Sequence, residues 1–370
     1  MMNYDWMRLA DEAVLPSPSL LVFPDRVEEN LRRMIAIVGG LARLRPHVKT
    51  HKLPQIVARQ VALGVTKCKC ATIAEAEMAA GAGVTDVLLA TQPVGPNGAR
   101  LLALKRAFPG VKFSTIADDP GVVAALDRAA CEAGATIEVF IDLDVGMGRT
   151  GIAPGPGAVA LYRAIVAAPG LRAGGLHAYD GQLRQASLAE RSVAAAEGIA
   201  RTDALRAELL RLGLPVPCVV AGGTPGFPIH ARRPEVECSP GTCVLWDANY
   251  AGSLPDLDFL NAAVLFTRVI SRPGVNRLCL DLGHKAVASE MPHPRVVFPA
   301  LPDARAVTHS EEHLVIETAR AAEFPVGAGL YGLPWHICPT VALHDCVRVV
   351  RGGQIAEEWT VTARARRLSV

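Results

Sequence analysis

Between Leu20 and Thr224 the chain alternates short apolar or β-branched runs with longer runs of helical periodicity. Residues 20–23, 45–52, 69–72, 86–90, 113–117, 138–144, 175–180 and 218–224 read as strands. Helices are predicted over 25–38, 55–63, 74–80, 97–108, 119–133, 158–168 and 188–212. A regular strand–helix repeat of this kind permits few architectures. A parallel sheet needs helical crossovers, and roughly eight such units close most economically into a (β/α)8 barrel. An open doubly wound sheet is the alternative, but no G-x-G-x-x-G run follows a strand to support it.

The texture changes after about Glu237. Residues 243–246, 262–271, 277–282, 296–298, 313–318, 347–350 and 357–363 read as strands separated by turn residues. The expected organisation is a barrel over 19–240. A mostly antiparallel β domain is expected from 1–18 together with 241–370. A chain of 370 residues that is 50% hydrophobic can bury a core in each. The net charge of +2 has no long run of one sign behind it, which argues against a nucleic-acid footprint or a membrane-surface patch. No apolar run reaches the roughly 18 residues of a membrane span, and residues 1–11 do not resemble a signal peptide. Nine cysteines in a long chain fit reduced thiols in a cytoplasmic protein better than a disulfide framework. Cys68 and Cys70 would share one strand face as packing residues.

Arg45-Pro46-His47-Val48-Lys49-Thr50-His51-Lys52 is read as a strand end. Pro46 favours extended backbone, and alternation would put His47, Lys49 and His51 on one face. In a barrel, the C-terminal strand ends carry the active site. Lys49 falls at such an end. So do Arg149 in Gly146-Met147-Gly148-Arg149, Tyr179 in His177-Ala178-Tyr179-Asp180, and Gly222-Gly223-Thr224. Glycine amides beside a hydroxyl are suited to cradle a phosphate. A lysine and a phosphate cup on one rim point to pyridoxal phosphate, held by Lys49 as an imine. Tyr179 would pack against the cofactor ring, and Arg149 would neutralise its phenolate oxygen or a substrate carboxylate. Separately, His336-Ile337-Cys338 on extended chain would aim an imidazole and a thiolate at one point, suiting a divalent ion with open positions. Asp345, His309 and His313 lie in the same domain, while His230, His284, His293 and His344 read as structural or surface residues.

Together these motifs, with Ser310-Glu311-Glu312-His313 and His336-Ile337-Cys338-Pro339-Thr340, resemble the D-threonine aldolase and D-serine dehydratase family of alanine racemase-like pyridoxal-phosphate enzymes. The resemblance implies Lys49 as the imine lysine, with Lys49, Arg149, Tyr179 and His51 as candidate catalytic residues. It implies cofactor contacts at His47, Lys49, Arg149, Tyr179, Gly222, Gly223, Thr224, Gly241 and Thr242. It implies a divalent metal (Mn2+, Mg2+ or Zn2+) on His336 and Cys338, a D-amino acid substrate and a homodimer. Two departures stand out. Many aldolase relatives carry His-x-Asp at the metal, whereas His-x-Cys is nearer the dehydratases. Many relatives also have a histidine shortly after the Tyr179 motif, and Gln182-Leu183-Arg184-Gln185 has none. The expected activity is D-threonine aldolase, with D-serine or D-3-hydroxyaspartate dehydratase as the alternative. A metal-free racemase and a non-catalytic cofactor carrier are the readings from other classes.

Overall fold

The computed structural model describes residues 4–370. It divides into two compact units, one of residues 4–31, 50–53 and 242–364 and one of residues 32–49, 54–241 and 365–370. The predicted segment 1–18 therefore begins outside the described residues.

The first expected barrel strand does not join the barrel. β1 (Ser19–Val22) lies in the antiparallel unit. It is buried along its whole length. An uninterrupted apolar run fits a central strand of either sheet, so the run itself did not distinguish them.

The barrel unit holds β2 (Lys67–Cys70), β3 (Asp86–Leu89), β4 (Lys112–Ala117), β5 (Ile137–Leu143), β6 (Leu171–Ala178), β7 (Cys218–Ala221) and β8 (Val236–Cys238), hydrogen-bonded in that order. All the pairings are parallel. The ring is completed by residues 44–47. Leu44 bridges Cys238 and His47 bridges Lys69, both in parallel sense. Strand β8, absent from the sequence reading, thus takes the place expected of residues 20–23. Helices between the strands begin where the sequence supplies caps: Thr72 accepts from the Glu75 amide and Asp119 from the Val122 amide.

The barrel interior is apolar at one level, where Leu88, Ile116, Phe140 and Val220 pack together. It is ionic toward the N-terminal strand ends. Arg45, only 2% exposed, donates to both Asp86 oxygens (2.8 and 3.1 Å) and to Glu237 (2.7 Å). Lys67 also pairs with Glu237. Cys68 and Cys70 do share a face, with sulfurs 3.7 Å apart, and all nine cysteines are free.

The other unit is a mostly antiparallel sheet. It adds β9 (Ala263–Gly274), β10 (Arg277–Leu280), β11 (Val296–Val297), β12 (Arg305–His309), β13 (Leu314–Glu317), β14 (Gly329–Pro334), β15 (Cys346–Arg351) and β16 (Gln354–Thr360). β1 sits between β9, antiparallel to it, and β15, parallel to it. Strands β12 and β14 were not foreseen. The expected strand 243–246 is instead a 3-10 turn, closed by the Leu245 amide donating to the Thr242 carbonyl at 3.2 Å, with the Trp246 amide on the same carbonyl at 2.7 Å. Among the described residues, no helix is long and apolar enough to cross a membrane.

Candidate active site

Extended backbone ends at His47. Val48–Thr50 is a 3-10 turn, and the Lys49 amide donates to His47 Nδ1 at 3.3 Å. His47, Lys49 and His51 therefore do not line one strand face as alternation would require. The turn releases Lys49 from the ladder at the C-terminal strand end and leaves it half-buried.

Lys49 Nζ lies 5.8 Å from the centre of the Tyr179 ring. Two further cations face the same ring, Arg149 at 4.9 Å and Lys69 at 5.5 Å. Arg149 is presented by a loop that folds around Asp144, whose Oδ1 accepts the Gly146 and Gly148 amides at 3.0 Å each. Lys69, on β2, is 1% exposed. Burial pushes its amine down to about 7, with the Lys49 charge adding to the effect and Asp180 and Asp142 opposing it.

Asp142 and His177 occupy level positions on β5 and β6, with His177 Nδ1 2.6 Å from Asp142 Oδ1. Burial raises the Asp142 carboxyl, but the His177 hydrogen bond and charge, the Thr150 hydrogen bond and the Lys69 charge together outweigh it and hold the group below its ordinary value. A carboxylate only accepts, so Nδ1 carries the hydrogen. His177 Nε2 is then a buried acceptor with no partner. Asp180 Oδ2 bonds His230 Nε2 (2.7 Å), and Asp180 Oδ1 accepts the Gly223 amide (3.1 Å).

The two glycine amides expected at the phosphate both have protein partners. The Gly223 amide serves Asp180, and the Gly222 amide donates to the Ala178 carbonyl at 3.0 Å. The pair is glycine for space. A Cβ at Gly222 (φ +78°) would fall 2.6 Å from His230 Cδ2, and one at Gly223 would fall 2.8 Å from Tyr179 Cε2. Thr224 Oγ1 accepts from the Gly241 amide at 3.3 Å.

In the other unit, residues 336–340 are not extended. His336 is the N-cap position of a helix Ile337–Leu343 that carries Cys338 and Pro339 in its first turn. Asp247, distant in sequence, accepts the Ile337 amide at 3.2 Å and so caps this helix. Burial raises the Asp247 carboxyl to about 6. The imidazole and the thiol still interact. Burial alone would lower His336, but Cys338 and Glu290 outweigh it and raise the group to about 9. His336 Nδ1 is hydrogen-bonded to Glu290. Cys338 Sγ lies 3.2 Å from the hydroxyl of Thr50, the residue after Lys49, and 3.6 Å from that of Thr242. Among the described residues no group of three or more His, Cys, Asp or Glu is placed to hold a metal ion. Asp345 pairs with Arg364, and His309 lies against His284 and Arg295. His51 is fully buried, its Nδ1 accepting the Leu53 amide at 3.1 Å, and burial lowers it to about 3.

Sequence reasoning missed Lys69 and Asp142 and set His230 aside. Lys67 and Lys69, two residues apart on a strand, were the available signal for an inward-facing cation.

The donor set fits pyridoxal phosphate. Amine, guanidinium and aromatic ring converge, and a buried imidazole nitrogen lacks a partner. Comparison with known proteins agrees. Residues 22–246 match the alanine racemase N-terminal domain and residues 262–350 a serine dehydratase domain. The chain is 32% identical to the D-threonine aldolase of Arthrobacter sp. over 95% of its length and 93% of the relative. It is 30% identical to the 3-hydroxy-D-aspartate aldolase of Paracoccus denitrificans, covering 96% and 94%. Identity to the D-threo-3-hydroxyaspartate dehydratase of Delftia sp. is 26%, covering 93% and 97%. The crystal structure of D-threonine aldolase from Filomicrobium marinum superposes with a TM-score of 0.88 at 33% identity, covering 95% of both chains. With barrel, amine-lined rim and both domain matches in agreement, the chain belongs to the D-threonine aldolase and D-serine dehydratase family of alanine racemase-like enzymes, and is a pyridoxal-phosphate-dependent lyase.

Proposed function

We propose that the protein is a D-threonine aldolase, cleaving D-β-hydroxy-α-amino acids to glycine and an aldehyde with the help of a divalent metal. The observation that carries this reading is the convergence of Lys49, Lys69 and Arg149 on Tyr179 at a barrel strand end. Two relatives of comparable length, each at least 30% identical, are aldolases for such substrates.

Lys49 would hold pyridoxal phosphate, with Tyr179 against its ring and Thr224 and Gly241 near its phosphate. When bound, the cofactor accepts the electron pair left on the substrate's α-carbon. Arg149, exposed on its folded loop, is placed to take a substrate carboxylate. Lys49 Nζ, facing the Tyr179 ring, would be placed to accept or return a proton at the substrate. The chain has no histidine just after the Tyr179 motif to do this. The His336–Cys338 pair suits a borderline divalent ion, which acidifies a hydroxyl as a Lewis acid. The Glu290 carboxylate on His336 Nδ1 is the kind of outer partner that orients a metal-binding imidazole.

Cys338 favours a second reading, a dehydratase releasing ammonia and a keto acid, because His-x-Cys is nearer those relatives. Purified protein with pyridoxal phosphate, a divalent ion and D-threonine separates the two. Glycine and acetaldehyde are expected, with loss of turnover on adding a chelator. Formation of 2-oxobutanoate and ammonia without glycine would overturn the aldolase in favour of the dehydratase, and turnover that ignores the chelator would remove the metal.

A further inference from the structure

The turn that carries His336 and Cys338 is held along one side by a single stretch of chain. The Asn249 amide donates to the Trp335 carbonyl at 3.3 Å, Asp247 Oδ2 accepts the Ile337 amide at 3.2 Å, and the Thr242 hydroxyl lies 3.6 Å from Cys338 Sγ. These contacts fall on residues 335, 337 and 338, and so bracket His336. Asp247 is the most enclosed part of the clasp, at 1% exposure. Its other oxygen, Oδ1, accepts the Tyr250 amide at 2.9 Å and caps the helix Ala248–Ser253. One carboxylate thus closes the first turns of two helices, of six and seven residues. Helices this short do not hold their form alone, so their ends decide where they point.

The residue at the head of the second helix explains why an outside cap is needed. His336 occupies the N-cap position, where Ser, Thr, Asp or Asn would satisfy the first amides from within the chain. Among the described residues its side chain makes no cap hydrogen bond, and its Nδ1 is bonded to Glu290 instead. We infer that Asp247 is a positioning residue: by capping the helix in place of His336, it leaves the imidazole for a divalent ion shared with Cys338. This rests on the reading of His336 and Cys338 as the metal pair. With both oxygens on amides, Asp247 acts through the backbone of the turn rather than as a donor to the ion.

The test is the Zn2+ affinity of cofactor-loaded, metal-stripped protein, read by competition with a chromogenic chelator. Parent, Asp247→Asn and Asp247→Ala are compared, and His336→Ala marks the site. Partners that orient a metal ligand typically contribute 10- to 100-fold in affinity. Asp247→Ala is expected to weaken Zn2+ binding about 100-fold and Asp247→Asn, which keeps one acceptor oxygen, about 10-fold, with the Kd for pyridoxal phosphate within about twofold of the parent. Unchanged Zn2+ affinity in both variants overturns the inference. An equal loss in the two does so as well, because it would mark the charge and not the caps. So does a cofactor affinity that falls in step with that for Zn2+, which would mark a general role in the fold. If neither variant folds, hydrogen exchange in the parent carries the test. Coupling is reciprocal, so Zn2+ should slow exchange over residues 248–253 as well as 337–343. Exchange over 248–253 that ignores Zn2+ overturns the inference. Zn2+ binding that is absent from the parent, or that survives His336→Ala, removes the metal pair itself. Binding lost in His336→Ala but unmoved in both Asp247 variants removes only the positioning.

Discussion

Gly223→Ala is a small perturbation beside the Tyr179 ring of the proposed cofactor pocket. The added methyl would fall 2.8 Å from Tyr179 Cε2. Carbon atoms pack best at about 3.5 Å or more, so about 0.7 Å must be recovered. Gly223 is anchored by its amide on Asp180, whereas the Tyr179 ring is half-buried. The ring therefore turns aside, and the apoprotein tolerates the change. On the proposed placement of Tyr179 against the cofactor ring, the cost appears on cofactor binding. Overpacking of one methyl costs about 1–3 kcal/mol. At about 1.4 kcal/mol per tenfold, the Kd for pyridoxal phosphate rises about 5- to 150-fold. Absorbance titration of apoprotein with cofactor measures it. In a Tyr179→Ala background the same substitution should add almost nothing, because the clashing partner is gone. A Kd within about twofold of the parent, or an equal penalty with and without the tyrosine ring, would refute the reasoning.

Two further outcomes follow from buried charge. Arg45→Met strands Asp86 and part of Glu237 at the barrel's N-terminal end, and should destabilise the barrel by about 3–5 kcal/mol. Urea unfolding checks this, and adding Asp86→Asn should recover part of the loss. His51→Gln tests the acid limb. The imidazole is lowered to about 3 in the folded state from its ordinary 6.5. The unfolded chain therefore binds more protons between those values, and stability falls as pH drops through that window. The histidine's share at pH 5 is about 2 kcal/mol, so the variant's stability should fall less steeply from pH 7 to pH 5, as chemical denaturation at each pH would show.

Most of the barrel was legible because each crossover has its own helical period and its own stop. Asp119-Pro120 opening a helix and Gly39-Gly40 closing one are local signals that the fold obeys. What failed was non-local. β1 and β8 exchanged places because an apolar run does not say which sheet it will enter, and a three-residue strand around Glu237 needs Arg45 and Lys67 to explain its charge. The helix at 337–343 was hidden for the same reason, since its cap, Asp247, lies 90 residues away. The lysine was found from its neighbours, but its geometry was not, because the turn after His47 is closed by a side chain. The site's residue types were thus readable in order along the chain. The partners that set their charge were not, because barrel closure brings them together.

The account turns on which nitrogen holds the cofactor. Borohydride reduction of the loaded protein, digestion and peptide mass analysis read it directly. The pyridoxyl group is expected on Lys49. Its appearance on Lys69 or Lys52, or on no lysine at all, would contradict the account.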